Sequence, residues 1–222
     1  MDHRRKMRIL HVLKSSAYSG TENVVMSIMK CLQDELDMVY VATDGEIRKQ
    51  LEQQQLPMEL LPQFGMTGLN KVIRKYQPDI VHAHDFSASV MCAMIPGRFR
   101  LISHLHCSPS WSAQCNLKSL VYRLCEFRIS KVLTVTNQMF EPMVYAGAYQ
   151  RKQVVLLNPI DREKILQLAA ETSEKEMSLY SDLLFVGRLV PEKNPQRFIQ
   201  LVYAIKQNGK RNIKAEWLET VY

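Results

Sequence analysis

The sequence predicts an α/β protein: a doubly wound, mostly parallel sheet, followed by the first strand and helix of a second, smaller sheet. Three observations predict it. Short β-branched or apolar runs recur along the chain, segments with the apolar period of a helix lie between them, and the pattern restarts after a polar stretch near residue 181. The composition agrees: 222 residues at 46% apolar can fill a core, and 8 Gly and 9 Pro exclude a collagenous or low-complexity chain.

Taken in order, the expected strands are Arg8–Leu13, Met38–Ala42, Met58–Leu61, Asp79–His82, Leu101–Leu105, Val132–Val135 and Val154–Leu157. Between them, Val24, Val25, Ile28, Met29 and Leu32 fall on one face of a helix over Glu22–Leu32. Leu117, Leu120, Val121, Leu124 and Cys125 do the same over Leu117–Ile129. Seven strands separated by helices describe an open, doubly wound sheet. Residues 1–161 form this first domain, and 162–181, polar and helical in propensity, form a bridge. Residues 182–222 begin a second domain with a strand at Asp182–Val186 and a helix from Gln196 to Lys206, capped by Asn194 with Pro195 at its first position. A further strand is expected to start at Asn212–Ala215, and the second domain is expected to be incomplete.

No window approaches the roughly 18 apolar residues of a membrane span, and the apolar run before Lys14 is too short for a secretory signal. Five cysteines without a Cys-x-x-Cys pair fit a reduced, cytoplasmic protein without structural zinc. The net charge is +7, and Arg98–Lys131 concentrates it: Arg98, Arg100, Lys118, Arg123, Arg128 and Lys131 against Glu126 alone. Such a stretch is either a solvated helix face or a contact for an anionic surface, such as lipid headgroups or a phosphate-bearing substrate. No nucleic-acid-binding motif accompanies it.

Three constellations could carry chemistry. The turn Ser15–Glu22 follows the first strand, where an open parallel sheet binds ligands. It holds Gly20 and Glu22 but neither a Gly-x-Gly-x-x-Gly nor a P-loop, and Ser19-x-x-Glu22 is also a capping box. Next come His82-Ala83-His84-Asp85 and His104-Leu105-His106-Cys107. Alternate histidines at a strand end either line a cleft or ligate a metal; His82, His84 and Asp85 would be the ligands of a metal-dependent hydrolase, with cleft lining the preferred reading. Last, Gly187-Arg188 with Lys193 before a helix start combines close backbone approach, positive charge and unpaired N–H groups, a combination suited to a diphosphate.

Several segments together resemble the family-4 glycosyltransferases of the GT-B fold. They are RILHVLKSSAYSGTENVV, YQPDIVHAHD, LISHLHCS, KVLTVTNQM, VVLLNPID and, most specifically, LLFVGRLVPEKNPQRFI, similar to the family's Phe-Val-Gly-Arg-Leu-x-x-x-Lys signature. The resemblance implies two Rossmann-like domains, the first holding an acceptor and the second a nucleotide-diphosphate sugar. It implies a retaining transfer, without metal or other cofactor, to a polysaccharide or lipid-linked acceptor in surface polysaccharide assembly. His106 would be the catalytic cleft histidine, Gly187, Arg188 and Lys193 the diphosphate site, and Gly20, Glu22 and His84 the surrounding cleft and loop. Residues 98–131, with Phe99, Trp111, Tyr122 and Phe127 among their charges, would give peripheral contact with the inner face of the plasma membrane.

The departures matter too. Ser19 precedes a single Gly20, Pro159 stands where glycine is usual, and the family's Glu-x7-Glu helix does not follow Ala215. The competing expectations are therefore a non-catalytic remnant or acceptor-binding module, and the hydrolase already described.

Overall fold

The computed structural model describes residues 5–160, 162–171, 181–209 and 212–218. The chain divides into two compact units, Met1–Ile160 and Asp161–Tyr222. Of the predicted bridge, residues 172–180 lie outside the described residues, as do Asp161 and the terminal 219–222.

The first unit is a seven-stranded sheet with every neighbouring pair parallel. Its strands are β1 (Arg8–Leu13), β2 (Asp37–Thr43), β3 (Met58–Leu61), β4 (Ile80–His84), β5 (Arg100–Leu105), β6 (Ile129–Thr134) and β7 (Gln153–Val155), in the order β3-β2-β1-β4-β5-β6-β7. The helices are α1 (Gly20–Leu32), α2 (Ile47–Gln53), α3 (Met66–Tyr76), α4 (Phe86–Ala93), α5 (Leu117–Leu124) and α6 (Ala146–Tyr149).

Period-two alternation along the strands gives the sheet two apolar faces. Leu13, Met38, Tyr40 and Ala42 pack with Val25, Met26 and Met29 of α1 and with Ile47 and Leu51 of α2. Leu10, Val12, Val81, Ala83 and Leu101 pack with side chains of α3, α4, α5 and α6 on the other face. Strand order reverses between β1 and β4, so the crevice beyond their carboxyl ends is the switch point of this unit.

Several element bounds depart from the sequence reading: the first helix begins two residues early at Gly20, and the seventh strand ends at Val155 rather than Leu157. The fourth strand runs to His84, two residues past its expected end, because His84 pairs in register with Leu13 on one side and His104 on the other. The helix expected over 117–129 stops at Leu124, passes through a 3₁₀ turn at Cys125–Phe127, and gives way to β6 at Ile129. Its buried face is also not the leucine face. Ser119, Tyr122 and Cys125 point inward, where the Tyr122 hydroxyl joins Ser103 Oγ at 2.9 Å and Ser103 joins Ser89 at 2.7 Å. The tyrosine ring buries more area than a leucine, and its hydroxyl finds a partner inside. Leu117, Leu120, Leu124 and Phe127 are left 76%, 43%, 61% and 79% exposed.

The second unit contains α7 (Arg162–Glu171), β8 (Leu183–Val186), α8 (Pro195–Gln207) and β9 (Ala215–Leu218). Strands β8 and β9 pair in parallel with α8 between them, and the Phe185 ring packs at a tilt against Trp217 at 4.6 Å and Phe198 at 5.4 Å. Asn194 caps α8 by accepting the Arg197 N–H at 3.3 Å, with Pro195 at the first position. Leu184, Val186, Ile199, Tyr203 and Leu218 remain exposed, so the apolar faces of this β-α-β unit are largely open.

Candidate functional site

Five histidines meet on one face of the first sheet. His11, His82, His84 and His104 alternate with core residues along β1, β4 and β5, and His106 follows just beyond the end of β5. Register brings them together: His11 lies opposite His82, and His84 opposite His104. Neighbouring rings sit 4.1–5.4 Å apart between centroids. All but His106 are buried, and His106 is half-buried at the carboxyl edge.

A hydrogen-bonded file runs through three of them. His11 Nδ1 lies 3.1 Å from His84 Nε2, and His84 Nδ1 lies 3.0 Å from His106 Nε2. In a neutral file every N–H must point the same way, so the tautomer of His106 is tied to those of His84 and His11. Burial lowers the pKa of His11 and of His106 to about 4. His104 falls to about 3 through burial and then the proximity of His106 and His11. Burial, then the neighbouring imidazoles, holds His82 and His84 well below the ordinary range. At neutral pH the cluster is uncharged, so His106, with Nε2 engaged by His84, can offer one donor or one acceptor at Nδ1 but no cation.

The sequence reading found four of these histidines and missed His11. The available signal was a histidine interrupting the apolar run Ile9–Leu13, and only the β1–β4 register shows what it faces.

Asp85 does not join them. At φ +98° it caps α4, its carboxylate accepting the Ala88 N–H at 2.7 Å. Burial raises its pKa, against the opposing pull of N–H groups from Ala88, Ser87 and Lys14. The His82–His84–Asp85 ligand set is therefore not assembled, because the carboxylate serves the helix start.

The loop after β1 flanks the cluster's open end. Gly20 is exposed at the first position of α1, and a Cβ there would meet no atom within 4 Å, which leaves room for a ligand. The loop is held by a contact that sequence reasoning missed. A Cβ on Gly45 would lie 2.7 Å from Ser16 Cβ, and Ile47 N–H donates to Ser16 C=O at 2.9 Å. Glu22 turns inward, only 3% exposed, and its carboxylate accepts the Ser19 hydroxyl. The full capping box does not form, since the Ser19 side chain is engaged by Glu22 and accepts no backbone N–H.

On the other face of the sheet, near the same edge, is a cavity of about 490 Å³. Phe64, Phe86, Trp111 and Tyr122 wall it, with Lys14 and Lys118 among its lining residues and Leu117 shared with the exposed stripe of α5. The basic segment 98–131 is not one surface. Phe99 and Tyr122 are buried, Arg128 stacks on Phe99 at 5.0 Å, and Arg123 pairs with Glu126 at 4.0 Å. Lys118 instead lies 6.0 Å over Trp111 at the start of α5.

Gly187, Arg188 and Lys193 belong to the second unit, between β8 and α8. A Cβ on Gly187 would lie 3.7 Å from Lys193 Cγ, so these two are neighbours. Arg188 is exposed, and neither it nor Lys193 forms an ion pair with another described residue. Glu163 and Glu171 have the Glu-x7-Glu spacing, but on α7, ahead of β8 rather than beyond β9.

Residues 18–164 match the family model for Glycosyltransferase Family 4. No curated protein matches by sequence. Among solved structures, Anabaena HepE in complex with UDP is 18% identical, with 96% of this chain and 69% of that one covered at a TM-score of 0.68. The lipopolysaccharide outer core galactosyltransferase WaaB is 13% identical over 96% and 68% of the two chains, with a TM-score of 0.60. A UDP-N-acetylglucosamine 2-epimerase from Rickettsia bellii is 9% identical over 97% and 62%, with a TM-score of 0.63. The fold is shared with enzymes of different reactions, so the reaction has to be argued from the family and the site.

Proposed function

Because this chain belongs to Glycosyltransferase Family 4, we propose that it moves a sugar from a nucleotide-diphosphate sugar to a polysaccharide or lipid-linked acceptor, retaining the anomeric configuration. The observation that carries this reading is the neutral imidazole of His106 at the open edge of the switch point, fixed from behind by His84 and His11. A neutral ring can exchange hydrogen bonds with sugar hydroxyls without repelling the positive charge that builds on the anomeric carbon. HepE in complex with UDP and with UDP-glucose supports the choice of donor class.

The chemistry divides as follows. The bond from the anomeric carbon to the diphosphate oxygen breaks, the acceptor oxygen bonds to the same face, and the acceptor's proton passes to the departing diphosphate. Arg188, Lys193 and the N-terminus of α8 supply the positive field for that leaving group, so the transfer needs no metal cofactor. An aromatic-walled cavity with Lys14 and Lys118 suits an acceptor that joins an apolar chain to phosphate. The exposed stripe of α5 continues from it and suits docking at the cytoplasmic face of a membrane, where surface polysaccharide is assembled on lipid carriers.

The test is transfer from radiolabelled UDP-glucose and its relatives to membranes carrying lipid-linked oligosaccharide, with product anomers read by NMR. The expected product keeps the donor's configuration, and His106→Ala lowers kcat/KM roughly tenfold or more. Inverted product, or undiminished transfer by that variant, overturns the reading. A non-catalytic acceptor-binding module is the second reading, favoured by a cavity that lies wholly within the first unit. It predicts acceptor binding without turnover for every donor.

A further inference from the structure

His104 is 1% exposed, and neither of its ring nitrogens has a hydrogen-bond partner among the described residues. A neutral imidazole buried this way leaves one donor and one acceptor unsatisfied, and each is desolvated without compensation. One ring nitrogen from each of His84, His104 and His106 lies within 4.8 Å of the others. From this juxtaposition we infer that the three residues form a site for a borderline transition-metal ion such as Zn²⁺ or Cu²⁺, whose occupation withdraws His106 from the cleft.

The donor chemistry selects the metal class. Three neutral imidazoles with no carboxylate suit zinc, copper or nickel and disfavour magnesium or calcium, which prefer oxygen ligands. One pair of the three already has nearly the spacing of a metal site. Tetrahedral zinc with Zn–N bonds of about 2.0–2.1 Å sets its nitrogens roughly 3.3 Å apart. His84 Nδ1 and His106 Nε2 lie 3.0 Å apart and need open only by a few tenths of an ångström.

With Nδ1 of His84 on the metal, its Nε2–H donates to His11 Nδ1, already at 3.1 Å. That is the outer hydrogen bond a ligating histidine ordinarily makes. His106 is half-buried and at the sheet edge, which gives the ion access and a fourth position toward the cleft. The second group, His11, His82 and His84, has the same spacing but is buried throughout, with no ligand at the edge to admit an ion. The consequence is inhibitory: an ion held on Nε2 of His106 breaks the file that sets its tautomer and places a dication where positive charge develops.

The inference rests on the cluster and only its inhibitory consequence rests on the transferase reading, so binding is measured apart from activity. Untagged full chain is titrated with Zn²⁺ by calorimetry and with Cu²⁺ by EPR. One equivalent bound, with imidazole-nitrogen coupling on Cu²⁺, is expected. His104→Leu and His106→Ala should each weaken binding by more than the roughly 10–100-fold that loss of an outer partner costs, and His11→Asn by no more than that range. His106→Ala alters a half-exposed residue past the strand end, so it reports even if His104→Leu is unstable. No stoichiometric binding, or binding that survives His106→Ala, overturns the site. Stoichiometric binding by a chain that transfers no sugar would leave the site standing and remove the transferase reading instead.

Discussion

A buried imidazole that must stay neutral links this cluster to acid stability. In the unfolded chain histidines take up protons near pH 6.5, whereas folded His11 and His106 do so only near pH 4. Between those values the unfolded state binds more protons, so stability is full above about pH 6.5 and is lost as the pH falls toward 4. The melting temperature should therefore drop steeply over that window, and His11→Phe should make the slope shallower, as read by calorimetry in matched buffers. A flat profile would mean the rings are hydrated and ordinary. At this scale the sequence was legible where residue type and parity sufficed: His82, His84, His104 and His106 alternate visibly. It was silent on His11, whose partner is set by a strand 71 residues further on. Asp85 misled because a carboxylate beside histidines suggests a ligand, and only its backbone at φ +98° reveals a helix cap.

Helix α5 shows the same limit one level up. Its apolar period marks an amphipathic helix, but periodicity does not say which face meets the core. Here the Ser89–Ser103–Tyr122 hydrogen bonds fix the inward face and leave the leucines out. An exposed stripe beside cations is a surface for a lipid interface, and it yields a prediction with two readouts. Combined Leu120→Ser, Leu124→Ser and Phe127→Ser substitutions should cut co-sedimentation with anionic vesicles by more than about tenfold. The same changes should alter stability by no more than about 0.5 kcal/mol for each exposed position. Unchanged sedimentation would remove the membrane element, and large destabilisation would mean the stripe is covered in solution. Lys118 is a better charge to test than Arg128, whose guanidinium is committed to Phe99.

At the scale of the molecule, strand count and the order of elements were readable, because each rests on local period and punctuation. What could not be read was the convergence of β1, β4 and β5 on one imidazole file, which needs the strand order. The chain's two candidate sites sit in different units: the histidine file in the first, Gly187–Arg188 with Lys193 in the second. Their roles separate in one measurement, calorimetric titration with UDP and with UDP-glucose in parallel. The account predicts that UDP-glucose binds more tightly than UDP, that Arg188→Ala weakens both, and that His106→Ala removes the advantage of the sugar while leaving UDP affinity intact. If His106→Ala keeps the full preference for UDP-glucose over UDP, His106 does not meet the donor sugar and the central claim is wrong.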